Sequence, residues 1–305
     1  MGSGEATEVF GTTAETRPGR DLVLCADDFG LAPEIDEAIL ALVAAGRLTA
    51  TGCMVAGDSF ERDAPRLARL ADRVDIGLHF TLTDLPPLGP MPGFAPDGRP
   101  QRLGSVLSRA LTGRIDYAEI KAEIGRQVGR FREVFGRSPD FFDGHQHVHV
   151  LPGVRAALFA AFDDGTLDAA ATWVRDCHEP AATIVRRGIE VPKTLFVSAL
   201  SAGMARQARA RGIRVNDGFR GVTAFATDQS YRTNFRRFLV GAGARPLAMC
   251  HPAMPLGSAA AGDPIAGARH DEWAYFSGDG FPADLEAAGV RLKRMRDCVA
   301  DAANA

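Results

Sequence analysis

Near the N-terminus, Asp21-Leu-Val-Leu-Cys-Ala-Asp-Asp-Phe-Gly30 sets five apolar residues directly before two carboxylates. A run such as Leu22 to Ala26 suits a strand covered on both faces, as in parallel sheets. Asp27 and Asp28 then fall where the strand ends. Gly30 permits a sharp turn, and Pro33 suits the first turn of a helix. Two carboxylates side by side at the end of a buried strand are unfavourable unless positive charge stands beside them. A divalent metal ion would supply it. The competing reading is that one Asp caps the next helix while the other is solvated. Neighbours on a straight strand point to opposite sides, so joint action at one site requires the chain to bend at Asp27.

The chain around this stretch has 305 residues, a net charge of -3, 46% hydrophobic and 24% charged residues. These are ordinary values for a globular enzyme, and a chain of this length buries roughly 75% of its unfolded surface. No basic run argues for nucleic acid, and no apolar run approaches the ~20 residues needed to cross a bilayer. Five scattered cysteines without a C-x-x-C pair argue for a reducing compartment, so a cytoplasmic location is expected. Residues 1–20 are polar and aperiodic and read as a disordered leader. With no linker and no internal repeat, residues 21–305 read as a single domain.

Along that domain, apolar runs alternate with helical periodicity. Strands are expected at 22–26, 48–56, 74–82, 169–174, 213–215 and 246–250. Helices are expected at 35–46, 58–71, 116–135, 195–211 and 231–239, with one opening near Pro152 and another from 271 to about 300. This alternation implies parallel β/α units. Residues 84–100 hold six prolines and three glycines, a loop whose length suggests a lid over a site.

The residues able to carry chemistry share a position. Asp27 and Asp28, His79, His145 and His251 each lie at or just beyond the C-terminal end of an expected strand, the edge where parallel α/β folds bind ligands. His79 alone could be a hydrogen-bonded core histidine. Gly77, two residues earlier on the same side, would clear room beside it. His145-Gln-His147-Val-His149 would point three imidazoles one way if extended, so a three-histidine metal site is conceivable. One ligand from this cluster suffices if Asp28 and His79 supply the others. His147 and His149 would then pack, hydrogen-bond or meet substrate, and Asp143 would hold a ligand ring. Cys250 and His251 point apart in an extended chain, which argues against a Cys–His nucleophile. His178 and His270 lack such context and read as surface residues. No phosphate-binding glycine motif is present.

Together, Ala26-Asp-Asp-Phe-Gly30, Gly77-Leu-His79, Asp143-Gly-His-Gln-His-Val-His149 and Met249-Cys-His-Pro252 resemble the YdjC/ChbG-like carbohydrate deacetylases over about residues 21 to 300. Gly144 departs from the commoner serine at that position. The resemblance implies an irregular (β/α) barrel of parallel strands, polysaccharide-deacetylase-like. It also implies hydrolysis of the N-acetyl group of an amino sugar or short oligosaccharide, using one divalent ion. Asp28, His79 and His145 match the metal ligands, Asp27 the catalytic base and His251 the general acid. Arg175, Asp217 and Phe219 match substrate contacts less closely. Zinc is the favoured ion, with magnesium, manganese, cobalt or nickel as alternatives. A homodimer is implied as well. The rival readings are a metal phosphoesterase with two ions, and a module that binds metal or sugar without turnover.

Overall fold

The computed structural model describes residues 20–227, 230–241, 243, 245–255 and 263–298. The first strand, β1 (Arg20–Phe29), alternates as its apolar run dictates. Leu22, Leu24 and Ala26 face the helices, and Val23 and Cys25 face the inside of the sheet. Helix α1 (Pro33–Ala44) leads to β2 (Ala50–Cys53), α2 (Phe60–Ala68) and β3 (Asp75–Phe80). Then come α3 (Leu103–Leu111), α4 (Tyr117–Phe135) and β4 (Phe141–Gly144), followed directly by a 3₁₀ turn over His145–Val150. Asp116 caps α4 by accepting from Glu119 N at 3.0 Å, and Gly136, at φ 66°, ends it. Ile120, Ile124, Val128 and Phe131 form the buried stripe that the sequence spacing requires.

The second half runs through α5 (Val154–Asp163), β5 (Trp173–Val174), α6 (Ala181–Arg187), α7 (Val191–Leu200) and α8 (Met204–Arg209). It continues with β6 (Phe219–Arg220), α9 (Tyr231–Phe238), β7 (Leu247–Cys250), α10 (Ala266–Ser277), α11 (Gly280–Ala287) and β8 (Val290–Leu292). The helix expected over 195–211 is two helices, because Gly203 turns the chain at φ 81°. The helical tail expected to about 300 includes β8, which pairs with the first three residues of β1. Three residues are too few to show a strand period. The leader expected at 1–20 lies outside the described residues except for Arg20, which opens β1.

The strands lie in the order β5-β4-β3-β2-β1-β7-β6, and every pairing is parallel. Residues 214–218 bring the two sheet edges together. Val174 N donates to Arg214 O at 2.9 Å, and Leu247 N donates to Gly218 O at 3.0 Å. The result is an irregular parallel (β/α) barrel, as the family resemblance implied, built from the parallel β/α units that the alternation implied. One apolar layer fills the space between sheet and helices, and a smaller one fills the barrel interior. Gly77 serves that interior: a Cβ there would stand 2.4 Å from the Phe141 ring, which stacks on Trp173 at 4.4 Å. The expectation that Gly77 clears room for His79 is therefore corrected. Gly52 does so, since its Cβ would stand 3.0 Å from that of His79. No helix among the described residues is long and apolar enough to cross a membrane.

Candidate metal centre and active site

The bend required at Asp27 is present. Against β2, residue Ala26 pairs with Thr51 and Phe29 with Cys53, so β1 carries one extra residue, a bulge. Asp28 occupies it at φ 72°, left-handed backbone that a short polar side chain tolerates at a strain of order 1–3 kcal/mol. Alternation already aims Asp27 inward, and the bulge turns Asp28 toward the same mouth. Asp36 secures the turn beyond it by accepting from Gly30 N at 2.6 Å.

Strand register brings the other groups in. His79 sits beside Asp143 across β3 and β4, while Ala26 sits beside Cys250, which puts Asp27 next to His251. Donor atoms of Asp28, His79 and His145 lie within 4.8 Å of one another. Asp28 Oδ1 is 3.5 Å from His79 Nε2 and 3.1 Å from His145 Nδ1. The remaining atom of each group is committed elsewhere. His79 Nδ1 meets Asp143 Oδ1 at 2.7 Å, His145 Nε2 meets Asp84 Oδ2 at 2.9 Å, and Arg269 Nη2 donates to Asp28 Oδ2 at 2.7 Å. Three donor atoms converge while their far sides are held, the arrangement that would orient them toward a metal ion. Burial alone would raise the Asp28 pKa, but Arg269 and His145 override it and hold the carboxyl well below the usual range. Burial opposes charge on His79 as well, yet Asp143 and Asp27 outweigh it and push this imidazole up to about 10. That surplus of negative charge suits a cation.

Behind the triad, Arg175 is fully buried and grips Asp27 with both terminal nitrogens, Nη1 to Oδ2 at 2.8 Å and Nη2 to Oδ1 at 2.6 Å. Its Nη2 also stands 2.6 Å from Asp143 Oδ2 and 3.1 Å from Cys25 Sγ. Cys25, Asp27 and Asp143 form a second close donor cluster. The guanidinium already supplies the cation there. Burial would raise Asp27, but Arg175 overrides it and keeps the carboxylate ionised well below its ordinary range. His251 Nε2 lies 3.8 Å from Asp27 Oδ2, and burial lowers this imidazole to about 4, so it is neutral near pH 7.

The structure gathers Asp27, Asp28, His79, His145, His147 and His251 around one cavity of about 830 Å³. It places the other expected contacts elsewhere. Arg175 is an internal ion-pair partner. Phe219 is buried with its edge against His147, ring centroids 5.4 Å apart. Asp217 is exposed near the start of β7, where its N–H donates to Arg245 O, at the opposite end of the barrel. The three histidines do not share a side. Gln146 and His147 take left-handed backbone, φ 51° and 61°, so the chain coils after His145. His149 ends buried, Nε2 donating to Arg175 O at 3.1 Å. The 84–100 loop is packed down by Glu119 and Glu123 of α4, which accept from Gly93, Phe94 and Leu88. Only Asp84 of it reaches the cavity, which corrects the lid expectation. Sequence reasoning missed Asp84, Arg269 and Glu272, which accepts from His251 N. It also set aside His270, which lines the cavity. Arg269 and Glu272 follow no strand and carry no local motif, so only the folded chain reveals them.

Fold and site define a parallel (β/α)-barrel protein with an Asp–His–His centre at the C-terminal edge of its strands. The chain belongs to the YdjC-like protein family, whose profile matches residues 21–287. It is 34% identical over 199 residues to the chitooligosaccharide deacetylase of Enterobacter sp. (strain 638), covering 61% of this chain and 76% of that one. It is also 38% identical over 144 residues to a human carbohydrate deacetylase, a match covering 46% of this chain and only 44% of the relative. Among solved structures, a candidate cellobiose-phosphate cleavage protein from Enterococcus faecalis V583 shares the fold, with TM-score 0.68 at 19% identity, covering 92% and 98% of the two chains.

Proposed function

We propose that this protein is a metal-dependent N-deacetylase that hydrolyses the acetamide of an amino sugar or short oligosaccharide to release acetate. The observation that carries the reading is the convergence of Asp28 Oδ1, His79 Nε2 and His145 Nδ1 beside Asp27 and His251 on one cavity. The family and its deacetylase relatives support it. One carboxylate and two imidazoles fit a divalent ion, zinc first, with cobalt, nickel, manganese or, less naturally, magnesium as alternatives. An ion held there supplies a Lewis acid for the amide carbonyl and lowers the pKa of water. Asp27, ionised and locked by Arg175, is the group placed to take the water's proton. His251, neutral at rest with Nε2 3.8 Å from Asp27 Oδ2, is placed to receive the proton that Asp27 has taken from water and to pass it to the departing nitrogen. Arg269 fixes Asp28, and Asp143 and Asp84 fix the rings of His79 and His145.

Arg175 weighs against a phosphoesterase with two ions, because its guanidinium stands where the second donor cluster would hold a cation. Five unpaired cysteines support a reducing, cytoplasmic setting. The test is a mass-spectrometric screen of acetylated amino sugars and oligosaccharides for loss of an acetyl group. Acetate release is expected with metal bound, with Asp27→Asn keeping metal but losing ~10²–10⁴ in rate. Silence across the panel at full metal occupancy would refute the reading.

A further inference from the structure

The cavity holds far more hydrocarbon than an acetamido sugar can use. Its volume of about 830 Å³ reaches well beyond the catalytic groups, which cluster at the ends of β1, β3, β4 and β7. Further out its walls are apolar, and two helices build them. Helix α7 turns the face at positions 193, 196, 197 and 200 into the cavity, with Phe196, Val197 and Leu200 on that face. Lys193 on the same face is engaged, its Nζ donating to Thr223 O at 3.0 Å and standing 4.9 Å from the Phe225 ring centre. Helix α3 buries only Val106 and Ala110, yet Leu103 and Leu107 line the cavity one row further round.

Between the two helices, Val150 and Leu151 complete the strip, and Val150 shares an apolar cluster with Val197 and Leu200. Two of its side chains are held in water: Leu103 is 37% exposed and Phe196 47%. Single exposed apolar residues are ordinary, whereas several lining one cavity beside a reaction centre call for an apolar occupant. A further sugar unit would strip water from several hydroxyls and needs polar partners for each. The strip offers hydrocarbon in their place.

We infer that this strip is an aglycone subsite. On the deacetylase reading, the substrate is an N-acetylated amino sugar joined to a lipid-like apolar group, with the sugar at Asp28 and the aglycone along Leu103, Leu107, Leu151, Phe196 and Leu200. The polar mouth selects the acetamide, and the strip selects what the sugar is attached to.

The test compares methyl and octyl β-glycosides of N-acetylglucosamine, below the micellar concentration, with diacetylchitobiose as the third substrate. Each buried methylene is worth roughly fourfold in kcat/KM. The octyl glycoside should therefore exceed the methyl one by at least tenfold, mainly through KM, and should exceed the chitobiose. Phe196→Ser and, separately, Leu103→Ser, both at half-exposed positions, should pull the octyl-to-methyl ratio toward one. Equal kcat/KM for the two glycosides, or a preference for chitobiose, would overturn the subsite. Octyl β-glucoside, which has no acetamide, gives an independent readout. It should bind by calorimetry and bind more weakly to Phe196→Ser. Acetate from none of the substrates, with octyl glucoside still bound, would sink the deacetylase reading and leave the apolar subsite standing. Absence of octyl glucoside binding overturns the subsite, including where the strip instead proves to be a contact between two copies of the chain.

Discussion

Asp143→Asn isolates the part of the site that orients without touching substrate. Asp143 is fully buried, with Oδ1 2.7 Å from His79 Nδ1 and Oδ2 2.6 Å from Arg175 Nη2. As a carboxylate it accepts the Nδ1 proton, so the proton that a metal would displace is the one on Nε2, facing Asp28. An amide of the same shape can present NH₂ instead and reverse the ring's tautomer. Loss of such a partner lowers metal affinity by about 10–100-fold, roughly 1.4–2.7 kcal/mol. A second effect opposes it. Burial lowers the His79 pKa while Asp143 and Asp27 raise it to about 10, so at neutral pH the metal must displace a proton. Removing Asp143 weakens that proton's hold. The wild-type affinity should therefore fall as pH drops below 10, and the variant's should fall less steeply. Near pH 10 the proton weakens binding by only about twofold, and the orientation loss dominates. Competition with a chromophoric chelator across pH reads both, with thermal melting as the control for folding. A variant that binds metal within twofold of wild type near pH 10, with an unchanged pH slope, would refute the orienting role.

Other perturbations separate the parts of the site. Arg175→Met should cost about 3–5 kcal/mol in chemical denaturation, because Asp27 and Asp143 are left buried without their cation, and adding Asp27→Asn should recover part of the loss. Full stability in the single variant would contradict the network. Gly77→Ala should destabilise by roughly 1–3 kcal/mol through the Phe141 ring, whereas Gly52→Ala, whose Cβ would crowd His79, should lower metal affinity more than stability. Equal effects of the two on metal binding would show that His79 is not positioned this way. Burial raises Asp36 from its ordinary 3.8 to about 7. Its contribution is therefore full below pH 3.8 and declines as pH climbs toward 7. Asp36→Asn keeps an acceptor for Gly30 N and should flatten that part of the Tm–pH curve, and identical curves for the two proteins would refute the assignment.

The parallel strands were legible because buried parallel strands leave near-continuous apolar runs, and Leu22–Ala26 and Leu247–Cys250 are such runs, whereas their closure into a barrel was legible only through the family resemblance. The edge residues were legible for the same reason: each ends a run and sits where the pleat must deliver it. What the sequence hid depends on contacts between distant segments. Arg269 reaches Asp28 from a helix 241 residues away in sequence, and Arg175, expected to meet substrate, becomes an internal partner of Asp27 only where the barrel closes around it. The left-handed residues Gln146 and His147 carry no glycine to announce them, so an extended reading of the histidine cluster was natural and incorrect. Gly77 and Gly52 differ only in what packs against them across the sheet, which no single-strand pattern encodes. The apolar strip was hidden because Leu103 and Phe196 lie on separate helices that only the fold sets around one cavity.

The most direct test of the account couples metal content to acetate release in one preparation. After chelation and titration with zinc, activity on an N-acetylglucosamine glycoside should rise linearly and saturate at one equivalent of metal. His79→Ala should neither hold the ion nor release acetate. Full turnover in the chelated protein, or saturation only at two equivalents, would contradict a single centre built from Asp28, His79 and His145.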